Sequence, residues 1–189
     1  LEAKPMKNDR KGDWMQTHTG GQFWPLDPRI EDIEILDISA ALSKINRYAG
    51  HTLDFYSVAE HCVLITRKMR LLGYDQAICR EALMHDASEA YIGDIPRPLK
   101  PYLKNYDEIE NGIMQKIAEK YDFAWPCSKF VKLYDTRILN DEREQAMEIE
   151  PDPWPQTVKT MKLNVKLEFW PPHAAEHEFM IEANRCGIK

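Results

Sequence analysis

Apolar residues recur at three- and four-residue spacing along much of the chain, the period of helices that bury one face. Ile38, Ala41, Leu42 and Ile45 predict a first helix over Asp37 to Tyr48, stopped by Gly50. Ser57-Val58-Ala59-Glu60 has the form of a capping box, in which the Ser57 hydroxyl accepts the Glu60 amide and the Glu60 carboxylate reaches back to the Ser57 amide. A second helix is expected from there. Val58, Cys62, Ile65 and Met69 form its apolar stripe with His61 alongside, and Gly73 ends it. A third is expected from about Asp75 to Tyr91, broken by Gly93, after which Pro96, Pro98 and Pro101 keep the chain extended or turned. Ile109, Ile113 and Ile117 mark a further helix. Ser128 can cap a long one from about Lys129 to Glu150, with Val131, Tyr134, Asp135, Ile138 and Leu139 on its inner face. Pro151, Pro153 and Pro155 end it, a short extended piece is expected at LNVKLEFW, and the last helix begins near Pro172 and buries Phe179 and Ile181. From His18 to Arg29, Gly20-Gly21, Pro25 and Pro28 break helix and strand patterns alike, so residues 1–36 read as an irregular arm. The expectation is an all-α fold.

A length of 189 residues fits a single domain. With 30% charged residues and no apolar run of the ~20 residues that a bilayer crossing needs, a soluble, cytoplasmic protein is expected. A net charge of −6 argues against wrapping duplex nucleic acid, which calls for a basic surface, but leaves a small anionic substrate open. Leu1 to Trp14 are polar and lack the apolar core of a signal peptide. Cys62, Cys79, Cys127 and Cys186 are far apart, form no C-x-x-C pair and read as reduced thiols, two of them within helical patterns.

Four polar residues fall on inward positions of different helices: His61, the neighbours His85 and Asp86, and Asp135. Each alone has a structural reading, a hydrogen-bonded core histidine for His61 or a pairing of Asp135 with Arg137 or Lys132. Together they are costly to bury without a cation. The mixture of imidazole and carboxylate suits a divalent transition metal (Mn, Fe, Co, Ni or Zn) better than calcium. Glu89 follows His85 by one turn, and Asp94 stands just past Gly93; either is a surface charge or turn residue in a structural reading, and a proton-transfer group in a functional one. Arg47, Lys100 and Lys132 are candidate phosphate partners, and Tyr48 and Pro98 candidate walls for a nucleoside. His18 and His51 stay open as substrate contacts.

These segments resemble the HD-domain phosphohydrolase superfamily, whose signature is H…HD…D. YSVAEHCV looks like its first-histidine helix, MHDASEAYIGDIPRPLK like its HD helix and following turn, and KLYDTRIL like its last-aspartate helix, a motif core of about 38–145. Within the superfamily, the H-D-A-S-E and G-D-I-P-R-P-L-K run is similar to bacterial 5′-deoxynucleotidases and small phage deoxynucleoside triphosphate triphosphohydrolases. The resemblance implies a compact helical bundle, metal ligation by His61, His85, Asp86 and Asp135, catalytic roles for Glu89 and Asp94, and Arg47 at the phosphate. It implies a homo-oligomer in a bacterial or phage-infected cell. It also implies hydrolysis of deoxynucleoside monophosphates, with triphosphate cleavage or nucleotide binding without turnover as alternatives. Where the nucleotidases carry a Trp that helps select deoxyribose, this chain has Tyr48.

Overall fold

The computed structural model describes residues 9–154 and 161–188. The chain is predominantly helical: α1 (Ile35–Leu42), α2 (Val58–Leu71), α3 (Gln76–Met84), α4 (Glu89–Ile92), α5 (Tyr106–Tyr121), α6 (Lys129–Ala146) and α7 (Pro172–Arg185). No helix among the described residues is long and apolar enough to cross a membrane. Pro155, expected as a helix stop, and residues 1–8 lie outside the described residues.

Helix α2 is the centre of the assembly, packed against α3 and α7. One of its faces gives Val58, Ala59, Cys62 and Val63 to a core shared with Leu42, Leu83, Met84, Ile113, Ile117 and Phe179. Another gives Ile65 and Met69 to a second core with Tyr56, Val131, Tyr134, Ile138, Leu163 and Leu167. Burial on two sides explains why it tolerates only side chains that find a partner. Its start is fixed by the Ser57 hydroxyl, which accepts the Glu60 amide at 3.1 Å, and Gly73 ends it at φ +84°. Asp75 and Ser128 cap α3 and α6 in the same way.

Several expectations need correction. The arm is not wholly irregular: Met15–Gln16 and Gln22–Phe23 pair as antiparallel strands β1 and β2, because Gly20 (φ +88°) supplies the turn. Phe23 is fully buried and stacks on Tyr91 at 3.7 Å, fixing the arm to α4. The first helix ends at Leu42 rather than Tyr48. A bridge between Asn46 and Ser57 then brings the chain into a tight turn, Arg47–Gly50, with Tyr48 and Ala49 both left-handed. The expected Asp75–Tyr91 helix divides at His85–Ser88 into α3 and α4, and α6 stops at Ala146 instead of Glu150. Ile181 is only half-buried.

The capping box is half formed. The Glu60 carboxylate does not return to Ser57; it accepts the amides of Glu168 (2.7 Å), Phe169 (3.0 Å) and Trp170 (2.8 Å). Asp141 accepts those of Leu163 (2.7 Å) and Val165 (3.0 Å), and Gln145 accepts that of Leu167 at 3.1 Å. The expected extended piece is therefore broken by two left-handed residues, Asn164 (φ 57°) and Phe169 (φ 53°), and forms no strand; three buried or half-buried side chains do for its amides what a neighbouring strand would do. It serves as a strap across α2 and α6, with Leu163 and Leu167 pressed inward.

Candidate metal centre

His61 is completely buried on α2, and its Nδ1 lies 2.6 Å from Glu142 Oε1 on α6. A carboxylate only accepts, so Nδ1 carries a proton, and in the neutral ring Nε2 is then left as the lone-pair nitrogen. His85, at the C-terminal end of α3, has Nδ1 2.8 Å from the Ala82 carbonyl, and the same reasoning gives it the same tautomer. The two Nε2 atoms face each other at 3.3 Å. Asp86 Oδ2 stands 3.3 Å from His85 Nε2 and 3.7 Å from His61 Nε2. Asp135 Oδ1 stands 3.3 Å from His61 Nε2 and 3.8 Å from His85 Nε2.

Two imidazole nitrogens facing one another and flanked by two carboxylates form a set of metal-ligand type. Ligand atoms bound at 2.0–2.2 Å around a tetrahedral zinc-like ion lie roughly 3.4 Å apart, the spacing seen here. His61, His85 and Asp86 can hold a metal ion as they stand. In both histidines the other ring nitrogen is tied to an acceptor, the arrangement that orients metal-binding imidazoles. The carboxylates of the set attract protons to the histidines. Burial opposes charge on His85, but Asp86, Cys62 and Asp135 outweigh it and lift its pKa well above the usual range. Burial would likewise raise Asp135, yet its hydrogen bonds to His61 and His85 hold it well below the carboxylate range. Asp135 does not pair with Arg137, which instead donates to the carbonyls of Met161 and Lys162.

Around this set the sequence-derived residues separate into two groups. Arg47 is buried beside it, with Nη1 3.7 Å from Asp86 and Nη2 3.3 Å from Glu142, while its Nε is buried without a protein partner. Glu89 is 5% exposed, which removes the surface-charge reading, and its Oε2 likewise has no protein partner. Burial, with Asp86 and Asp94 nearby, pushes the Glu89 carboxyl well above its ordinary pKa against the pull of Arg47 and Lys100. Asp94 is half-exposed at the rim, close enough for its charge to be felt at Glu89.

The second group lies farther out. Lys100 is bound to Glu110 at 3.0 Å, though its charge still reaches Glu89 and Asp86. Lys132 is exposed and is felt at Cys127. Pro98 is exposed, as is His51. His18 lines a separate cavity of about 250 Å³ between the hairpin and α1. Tyr48 is half-buried, with its hydroxyl bonded to Glu142 and its ring 5.6 Å from that of Trp154.

Glu142 is the residue that the sequence reading missed. It is fully buried and binds His61, Tyr56 (2.9 Å), Arg47 and Tyr48. Burial would raise its pKa, but Arg47, His61 and Tyr48 lower it to about 2. Its position seven residues after Asp135 places it two turns along the same helical face, a signal concealed by the charged run NDERE.

No protein-family model matches the chain. It is 40% identical over 142 residues to the Escherichia coli K12 protein YfdR, a match that spans 75% of this chain and 77% of that one. A protein of Rhodobacter capsulatus is 31% identical over 144 residues, spanning 71% of this chain and 74% of its own. Both bear the name of uncharacterized proteins.

Proposed function

The chain belongs to the family of the Escherichia coli protein YfdR, and we propose that it is an HD-type, metal-dependent phosphohydrolase that releases phosphate from deoxynucleoside 5′-monophosphates. The observation that carries this reading is the pair of Nε2 atoms facing each other at 3.3 Å between Asp86 and Asp135. In it, His61, His85, Asp86 and Asp135 hold a divalent transition metal. When bound, such an ion supplies a Lewis acid for a phosphoryl oxygen and lowers the pKa of water.

The remaining chemistry belongs to the chain. Arg47 presents Nη1 toward Asp86 of the ligand set and neutralises charge that develops on the phosphoryl group. Glu89, buried and biased toward its protonated form, holds a proton at the unpartnered carboxyl for the departing 5′ oxygen. Asp94, half-exposed, orients the attacking water from the rim. Monoester cleavage is favoured over triphosphate cleavage because Arg47 is the cation in contact with the ligand set, whereas Lys100 is occupied by Glu110 and Lys132 faces solvent. The deoxynucleoside part of the assignment rests on the resemblance of Gly93 to Lys100.

The test is a panel of deoxynucleoside mono- and triphosphates with Mn, Co, Ni, Fe or Zn, with products resolved. Monophosphates are expected to yield nucleoside and inorganic phosphate. Release of inorganic tripolyphosphate would assign the triphosphate reaction instead. Binding without turnover would make the chain a nucleotide-responsive module, and neither binding nor turnover with any of these metals would end the nucleotide assignment.

A further inference from the structure

Glu142 makes contacts that extend beyond those of a metal-orienting carboxylate. Its two oxygens serve different neighbours. Oε1 takes His61 Nδ1 at 2.6 Å and the Tyr56 hydroxyl at 2.9 Å, whereas Oε2 takes Arg47 Nη2 at 3.3 Å and the Tyr48 hydroxyl. One oxygen thus sets a ring of the metal group, and the other holds the guanidinium that faces it. The side chain is wholly inaccessible to water, so no solvent competes for either oxygen. It also retains an unusual backbone: Tyr48 (φ 56°, ψ 32°) and Ala49 (φ 52°, ψ 29°) are consecutive left-handed residues without glycine's freedom. Such a turn persists where its side chains are clamped, and the clamp on Tyr48 is Glu142.

We propose that Glu142 is a positioning residue that couples the metal group to the anion-binding site, by fixing His61 through one oxygen and Arg47 and Tyr48 through the other. The proposal rests on the metal reading given above. A cation held by His61 would make its Nδ1–H a stronger donor, so the carboxylate's charge would be drawn toward His61. Less of that charge then neutralises Arg47, and the guanidinium binds an anion more strongly. Metal and anion therefore favour each other through a shared buried carboxylate, and by linkage the effect operates in both directions.

Glu142→Gln keeps the size and one acceptor but removes the charge. Zinc affinity, read by competition with a chromophoric chelator, is expected to fall by about 10–100-fold, the usual range for a lost outer partner of a ligating histidine. The affinity of zinc-loaded protein for inorganic phosphate is expected to fall by about 10-fold or more, in keeping with the factors typical of coupled sites. The visible spectrum of the cobalt-loaded variant should shift, which a purely structural role would not produce. Glu142→Asp keeps the charge on a shorter arm that reaches one side only, so it should lose more for one ligand than for the other, and it serves if the glutamine variant fails to fold. A folded variant with zinc and phosphate affinities within threefold of wild type overturns the proposal, and loss of zinc affinity alone overturns the coupling. Wild-type protein that binds no transition metal overturns this proposal and the metal reading together. Metal and phosphate coupling without nucleotide turnover leaves this inference standing and removes only the hydrolase assignment.

Discussion

Glu60 and His61 are consecutive residues of α2, both wholly buried, and they face two regions with different uses for polarity. Glu60 points to the strap, where every contact of its carboxylate is a backbone amide and the hydrogen bonding is complete. His61 points to the cluster, where one nitrogen is tied to Glu142 and the other faces a second imidazole and two carboxylates. The first region is a closed structural solution. The second gathers groups that could hold a cation. Burial and charge are shared by both regions, so neither identifies function; the difference lies in whether the partners present complementary or like groups.

Removing the strap's carboxylate should have the largest effect. Glu60→Ala leaves three amides without an acceptor, and at about 1–3 kcal/mol for each unsatisfied group a loss on the order of 3–9 kcal/mol is expected in urea unfolding. The metal stoichiometry of the molecules that remain folded should not change. Asp135→Ala should reverse the pattern: helical circular dichroism is retained while metal affinity falls more than about 100-fold, beyond the range for outer partners. Full metal occupancy in that variant would remove Asp135 from the ligand set. Glu89→Gln should separate the site further, with metal retained and turnover reduced by about 10²-fold or more, the scale of a positioned acid. Undiminished turnover would leave Glu89 a buried residue without a chemical role.

Acidity offers a subtler contrast, because the two carboxylates are shifted in opposite directions. Glu142 is held at about 2, below its ordinary 4.5, so its contribution to stability is complete above 4.5 and is lost as pH falls through about 2. Glu60 is raised above 4.5, chiefly by burial against the opposing pull of the strap amides. Its contribution is therefore complete below 4.5 and is lost as pH rises through the folded value. With chelator present, the advantage of wild type over Glu142→Gln should shrink as pH falls from 4.5 toward 2. Its advantage over Glu60→Gln should grow as pH falls toward 4.5. Stability curves with the same slope for both pairs would show that the two carboxylates are held alike.

The helices and the cluster were legible in the sequence for one reason: a polar residue on an otherwise apolar helical stripe stands out at His61 and Asp135. The segment LNVKLEFW was legible as a piece between helices, but its left-handed residues Asn164 and Phe169 and its partners were not, since Glu60 lies more than one hundred residues earlier in the chain. The spacing of Glu60 from Ser57 fits half of a local capping box equally well. The turn at Arg47 escaped because Tyr-Ala gives no sign of left-handed backbone; that conformation comes from the clamp on Tyr48, supplied by a helix far along the chain.

The smallest expected effect tests whether the two faces of α2 are independent. Ser57→Ala removes the hydroxyl that accepts the Glu60 amide at 3.1 Å and so leaves one first-turn donor unsatisfied. The other half of the box is absent, because the Glu60 carboxylate is engaged by the strap, so the loss is confined to a single cap bond. Stability should fall by about 1 kcal/mol, the usual cost of a lost N-cap. The His61 amide bonds to the backbone carbonyl of Ser57 at 3.2 Å, a contact that alanine retains, so the register of the helix at the histidine is kept. Metal affinity should therefore stay within threefold of wild type while the unfolding midpoint drops. If affinity fell in step with stability, the cap would be communicating with His61 along α2, and the separation between the strap and the metal centre would have to be abandoned.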